Sequence, residues 1–301
     1  MSLVVVGSVA YDGVETPHGK VDRMLGGAAT YIALAAAYFT EVKLVGIVGE
    51  DFAQEDVDLL ASRQIDLAGL DRVPGKTFFW AGVYSHDMNE RTTLQTDLNV
   101  FAGFDPKLPD AYRSASYLLL GNIQPALQKS VRSQMNGVKF VGGDTMNYWI
   151  KDYRGELLET LKEWDFLLIN DSEARMLSGE HNLRRAAARI MEMGPRTLVV
   201  KRGEFGAILF TPEFHFMAPG YLLEDVFDPT GAGDSFAGGF IGYLAGRAAG
   251  SIDLEALRRA VIYGSVMGSF CCEKFGVDRF RTLTHEEIEA RYQEFKTCTS
   301  F

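Results

Sequence analysis

The sequence predicts an α/β fold, a doubly wound and mostly parallel sheet with a small β lid inserted into it. Two observations predict the core. Short runs rich in valine, isoleucine and leucine alternate with helical patterns along most of the 301 residues. These runs are apolar throughout rather than alternating, as expected for parallel strands covered by helices on both faces. A third observation predicts the lid: between Lys76 and Val100 the alternation gives way to two extended segments joined by the turn-rich Ser85–Asn89 stretch, a hairpin signal.

Taken in order, strands are read over residues 3–7, 42–48, 117–121, 138–144, 165–170 and 197–201. The apolar stretch Gly26–Phe39 is shorter than the roughly 20 residues of a membrane span and reads as a buried helix. Residues 51–63 and 182–193 carry helical periodicity, and 233–246, 253–275 and 284–295 close the chain with three more helices. Thr284 with Glu287 three residues later is a capping-box start. Tyr263, Met267 and Phe270 fall on the apolar stripe of their helix and read as core. Residues 1–12, 26–74 and 102–301 are assigned to the α/β core, and 13–25 with 75–101 to the lid. Flaps of this kind close over a substrate and exclude water.

Composition narrows the partners. Apolar residues make up 47% and charged residues 23%, an ordinary globular balance, and the net charge is −10. Acidic and basic residues are interspersed, with no basic stripe for nucleic acid and no polybasic patch for a membrane. The N-terminal MSLVVVGSVAYDG lacks a basic segment and reads as a first strand rather than a signal peptide, which points to the cytoplasm. Three cysteines, with Cys271 and Cys272 adjacent, fit neither a disulfide framework nor a metal-ligand spacing.

Two phosphate-binding motifs fail. Gly75-Lys76-Thr77 has Leu70 where a Walker A loop requires glycine, and Pro74 removes an N–H, so this stretch reads as a turn entering the lid. Neither the residues after Gly7 nor Gly231–Phe236 complete the dinucleotide fingerprint, which leaves an NAD-linked oxidoreductase with little support. What remains is Asp228-Pro-Thr-Gly-Ala-Gly-Asp234, a glycine turn opening a helix. The N–H groups of Ala232, Gly233 and Asp234 are expected to face one space and to stabilise a phosphoryl group in transit. Asp234 is expected to accept the proton of an attacking hydroxyl, with the helix N-terminus favouring its ionised form.

This segment resembles the C-terminal signature of the ribokinase-like, or PfkB, family of carbohydrate and nucleoside kinases, and other parts follow in family order. The resemblance of Gly7–Asp12 implies that Asp12 binds substrate hydroxyls. That of Leu25–Ala37 to the N-terminal signature implies that Gly26 and Gly27 line the sugar, with Tyr31 standing where the family usually has asparagine. Asn170-Asp-Ser-Glu173 resembles the Asn-x-x-Glu motif, implying that Asn170 and Glu173 organise Mg²⁺ and the nucleotide phosphates, partly through water. Val199–Ala207 resembles the strand and hairpin beside the nucleotide, with Lys201 and Gly203 near phosphates or ribose. Asp144 loosely matches a further acidic position. Asp228 and Thr230 occupy places that bind a monovalent cation, K⁺, in some relatives, and the lid is often also a homodimer surface.

The reading is therefore an ATP- and Mg²⁺-dependent kinase acting on a hydroxyl, with a primary one favoured, of a small sugar. Asp234 is its base, and Gly231, Ala232 and Gly233 form its anion hole. A nucleoside kinase of the same family is the competing reading, in which Tyr31, Phe78, Trp80 and Tyr84 could stack on a base. A sugar or nucleotide sensor without turnover is remoter, because sensing needs no base.

Overall fold

The computed structural model describes residues 1–247 and 252–300. Its strands are β1 (Ser2–Val6), β2 (Ala10–Thr16), β3 (Gly19–Gly26), β4 (Glu41–Val48), β5 (Asp66–Arg72), β6 (Phe78–Tyr84), β7 (Arg91–Asp97), β8 (Tyr117–Leu120), β9 (Phe140–Asp144), β10 (Phe166–Asn170), β11 (Thr197–Lys201), β12 (Ala207–Phe210) and β13 (His215–Ala218). The helices are α1 (Ala28–Ala36), α2 (Gln54–Ser62), α3 (Pro125–Gln134), α4 (Asn147–Asp152), α5 (Arg154–Leu161), α6 (Asp171–Ser178), α7 (Leu183–Met191), α8 (Ala232–Gly246), α9 (Leu254–Cys271) and α10 (His285–Thr299). Among the described residues no helix is long and apolar enough to cross a membrane.

Nine strands form the main sheet in the order β13-β12-β11-β10-β9-β8-β1-β4-β5. All neighbours from β11 to β5 are parallel, and at the other edge β12 pairs antiparallel with both β11 and β13. Strand side chains alternate between the two faces. Leu3 and Val5 join a cluster with α1, α8 and α9, whereas Val4 and Val6 join one that includes Val131, Leu157, Leu177 and Ile190 of α3, α5, α6 and α7. Both faces are therefore buried, which is why the central strands are apolar along most of their length and show no alternation to mark an outside. The chain winds one way from β1 to β4 and β5 and the other way through β8 to β11. The sheet thus has a topological switch point beside β1, where ligands bind beyond the strands' carboxyl ends.

Strand β5 was absent from the sequence reading. It lies at an edge, so half its residues meet water and its sequence, DLAGLDR, lacks the continuous apolar run of its neighbours.

The second sheet has the order β3-β2-β6-β7. Strand β2 begins at Ala10, so residues 10–12 belong to this sheet's root as well as the segments assigned to the lid. At that root, Asp51 Oδ1 accepts from the Thr77 N–H at 2.7 Å and the Thr77 hydroxyl at 2.8 Å, and Thr77 Oγ1 accepts from the Gly49 N–H at 3.0 Å. The Gly75-Lys76-Thr77 stretch is thus a turn entering the lid. Strand β7, at the far edge, is exposed along its whole length.

Candidate active site

Three adjacent strands end in functional groups. Asp144, Asn170 and Lys201 are the last residues of β9, β10 and β11, and in register Asn170 faces Lys201 while Asp144 faces Leu168. Parallel pairing thus delivers a carboxylate, an amide and an ammonium to one edge. Asn170 also caps α6: its Oδ1 accepts from the Glu173 N–H at 2.8 Å, and Glu173 Oε2 accepts from the Asn170 N–H at 3.0 Å. The Asn-x-x-Glu pair is therefore a capping box. Each acid and amide keeps further acceptor capacity, since a carboxylate has about four lone-pair sites.

The turn from Asp228 to Asp234 opens α8. Asp228 is fully buried, its Oδ1 accepting from the Thr230 N–H at 2.8 Å and its Oδ2 from the Gly276 N–H at 2.9 Å. Gly231 is the helix N-cap at φ 76°, and a β-carbon there would lie 2.5 Å from Tyr31 ring atoms, so only glycine fits. The N–H of Ala232 donates to Pro229 O at 3.1 Å within the turn. That corrects the expected trio of free donors, because the turn itself uses the first. Gly233 and Asp234 occupy the next first-turn positions, whose N–H groups have no intrahelical acceptor. By contrast, α1 has its first N–H groups taken, Ala28 by Ser8 Oγ at 3.0 Å and Ala29 by Ser8 O at 2.9 Å.

On the remaining side, Asp12 of β2 is 5% exposed and lies against Gly26, where any β-carbon would overlap its carboxylate. The Gly27 N–H bonds to it, and Gly27, at φ 91°, is the N-cap of α1. Burial pushes Asp12 up to about 7, with the charges of Asp228 and Asp234 adding to the rise and the Gly27 N–H and Arg91 opposing it.

Eight expected residues do not line the cavity: Asp12, Gly26 and Gly27 on the acceptor side, Asp228, Thr230 and Ala232 within the turn, and Tyr31 and Gly203. Tyr31 is 1% exposed, its ring packed against Gly231 and its hydroxyl without a hydrogen-bond partner among the described residues, so it supports the turn from behind. Gly203 is exposed in the turn between β11 and β12, at φ 55°. The aromatic residues proposed to stack on a base divide likewise. Phe78 stacks on Phe101 with centroids 5.2 Å apart, and Trp80 receives the Arg91 guanidinium at 4.9 Å. A register shift between Ala81 and Gly82 breaks their alternation, and of the four only Tyr84 lines the cavity.

That cavity has a volume of about 400 Å³ and is lined by Asp144, Asn170, Glu173, Lys201, Gly231, Gly233 and Asp234 from the core and by Tyr84 and Arg91 from the lid. Arg91 was missed in the sequence. An arginine opening a polar strand carries no signature, and only its position two residues beyond the lid turn could have drawn notice.

Charge is crowded here. Burial raises Asp234, and the cations of Lys201 and Arg91 oppose the rise. This runs against the expectation drawn from the helix N-terminus, because burial disfavours the charged form more than the nearby cations favour it. Asp144 stands well above the usual carboxylate range through burial and the charges of Asp234 and Glu173, and among the described residues its Oδ1 has no partner. Burial raises Glu173 too, against the Asn170 N–H and Lys201. An all-oxygen donor set with an orphaned buried carboxylate oxygen fits a hard cation such as Mg²⁺. Among the described residues no group of three or more His, Cys, Asp or Glu closes on one point, so the phosphates and water would complete its shell.

The chain matches the pfkB family carbohydrate kinases over residues 1–282 and belongs to that family. It is 32% identical to the cytidine kinase of Thermococcus kodakarensis over 82% of this chain and 90% of that protein. It is 29% identical to the ATP-dependent ribose-1-phosphate kinase of Halopiger xanaduensis over 72% of this chain and 71% of that one. The crystal structure of Methanocaldococcus jannaschii nucleoside kinase, a member of the ribokinase family, superposes with a TM-score of 0.77 at 20% identity, covering 97% of this chain and 98% of that one. The fold is thus the ribokinase fold, and the protein is an ATP-dependent carbohydrate or nucleoside kinase.

Proposed function

We propose that the cleft transfers the γ-phosphoryl group of ATP to a hydroxyl, a primary one, of a small sugar, free or carried in a nucleoside. The observation that carries this reading is the meeting of Asp234, the Gly233 backbone and Lys201 in one cavity. Asp12, held by Gly26 and Gly27, accepts hydrogen bonds from acceptor hydroxyls and orients them. Asp234 takes the proton of the attacking hydroxyl as the new oxygen–phosphorus bond forms and the bridging bond to ADP breaks. A buried carboxylate with a raised pKa suits this work, because a base is most effective when its pKa lies near the working pH. The N–H groups of Gly233 and Asp234 and the Lys201 ammonium stabilise charge on the transferred group, each such donor being worth about 100- to 1,000-fold. Bound Mg²⁺ would neutralise phosphate charge, held by Asp144, Asn170 and Glu173 in part through water.

Similarity to a cytidine kinase over most of the chain favours a nucleoside over a free sugar. The test is ADP release with ATP and Mg²⁺ across pentoses, hexoses, sugar acids and nucleosides. Turnover with a nucleoside at a kcat/KM at least about tenfold above free ribose supports the nucleoside; the reverse order selects the free sugar. No ADP with any acceptor, alongside ligand-induced stabilisation, would return the non-catalytic sensor. Both oxygens of Asp228 already accept backbone N–H groups, and exchanging potassium for choline in this assay reads whether Asp228 and Thr230 also hold a monovalent cation. The exposed β7 edge, with Leu94 63% exposed, supports a homodimer through the lid, which sedimentation of Leu94→Glu reads. The composition and the lack of a membrane-crossing helix among the described residues support a cytoplasmic protein.

A further inference from the structure

Arg91 opens β7, directly across the lid hairpin from Tyr84, with which it pairs. Its guanidinium lies over the Trp80 ring, 4.9 Å from the centroid, and donates to the Tyr84 hydroxyl, which also accepts from Thr230 Oγ1 at 3.1 Å. An aromatic face on one side and a phenol at one N–H hold a side chain that otherwise has several rotatable bonds. The same bonds tie the lid to the turn that carries Asp234. Arg91 lines the cavity with Asp144, Glu173, Lys201 and Asp234, yet among the described residues it forms no ion pair with any of them. Guanidinium presents five donors in a fixed fork, so donors beyond the Tyr84 bond remain for the cavity. Its charge is felt by Asp12 at the acceptor end, by Asp234 in the middle and by Glu173 at the nucleotide end. Arg91 lines the same cavity as Asp234, Gly233 and Lys201, and so faces the space that the phosphoryl group would cross between acceptor and nucleotide.

Resting on the kinase reading above, we propose that Arg91 is a catalytic residue delivered by the lid, its guanidinium hydrogen-bonding the oxygens of the phosphoryl group in transit. Lys201 serves these oxygens from the core, and Arg91 serves them only when the lid lies over the cleft. Transfer is thereby linked to closure, which also keeps water from taking the acceptor's place. Arg91 keeps its proton throughout. The hydroxyl proton passes to Asp234, the acceptor oxygen gains the phosphorus and ADP departs.

The experiment compares Arg91→Ala, Arg91→Lys and Asp234→Asn with wild type under saturating ATP, Mg²⁺ and the best acceptor. Thermal unfolding confirms that each variant is folded. Arg91→Ala is expected to lose about 100- to 1,000-fold in kcat, as for removal of one transition-state donor, with acceptor KM changed less than kcat. Guanidinium ion at millimolar concentration should restore at least about tenfold of that loss in Arg91→Ala and nothing in wild type. Arg91→Lys should retain more activity than Arg91→Ala, because it keeps the charge but loses the fork. A kcat for Arg91→Ala within about fivefold of wild type, with Asp234→Asn inactive, overturns this proposal alone. A loss that neither guanidinium nor lysine repairs also overturns it, showing Arg91 to be a structural tie. Wild-type kcat in both Arg91→Ala and Asp234→Asn overturns the kinase mechanism as well.

Discussion

Asp228 and Asp234 open and close one seven-residue turn and share a side chain, but their surroundings divide them. Asp228 is wholly buried with each oxygen bonded to a backbone N–H, one of them 48 residues away at Gly276. Asp234 faces the cavity in the first turn of α8, near Lys201 and Arg91, with burial raising its pKa. Both oxygens of the first carboxylate are engaged by backbone N–H groups and fix the turn; the second carboxylate faces the cavity, where a ligand can reach it. A carboxylate's role is thus read from what already occupies its lone pairs rather than from the motif in which it stands.

Stability measurements sharpen this contrast. Asp228→Ala leaves two buried N–H groups without acceptors, at about 1–3 kcal/mol each, so a loss of roughly 2–6 kcal/mol is expected in denaturant unfolding. A loss under about 1 kcal/mol would show that Asp228 does not hold the turn. Asp12 stands between the two cases, buried but served by one backbone N–H. Its pKa rises from 3.8 unfolded to about 7 folded, so the native state binds the proton more tightly. Stability from this group is therefore full below pH 3.8 and is lost as the pH rises through about 7. Asp12→Asn should be more stable than wild type at pH 8 by up to about 4 kcal/mol, at about 1.36 kcal/mol per unit, and the gap should close toward pH 4. The same variant should bind its acceptor more weakly at pH 8, where wild-type Asp12 is ionised. A pH-independent stability gap would contradict this assignment. Tyr31→Phe removes a buried hydroxyl that has no partner among the described residues, and a gain of about 1 kcal/mol is expected with acceptor KM unchanged, since the ring packs behind Gly231. A raised acceptor KM would restore Tyr31 to the substrate side.

These residues also show how far the sequence could be read. The buried strands were legible because both of their faces are covered, which writes continuous apolar runs into β1, β4, β8, β9, β10 and β11. Edge strand β5 was not, since half of it faces water. Asp234, Asn170, Glu173 and Lys201, which the structure brings to one cavity, stood out because each lies within a short local pattern at a strand end or a helix start. The commitment of the Ala232 N–H to Pro229 O depends on turn geometry, and the packing of Tyr31 on Gly231 joins positions 200 residues apart. Arg91 reaches the cleft only through pairing within the lid, so its neighbours in sequence give no sign of its neighbours in space. The sign of the Asp234 shift was missed for a related reason: the helix end is local, whereas burial is a property of the whole cleft.

The most direct test is single-turnover phosphoryl transfer by Asp234→Asn, with ATP, Mg²⁺ and acceptor bound beforehand and occupancy of both substrates measured independently. The predicted result is unchanged folding, acceptor and nucleotide bound within a few-fold of wild type, and a transfer rate lower by about 100- to 10,000-fold. Transfer at the wild-type rate with both substrates bound would contradict the assignment of Asp234 as the base.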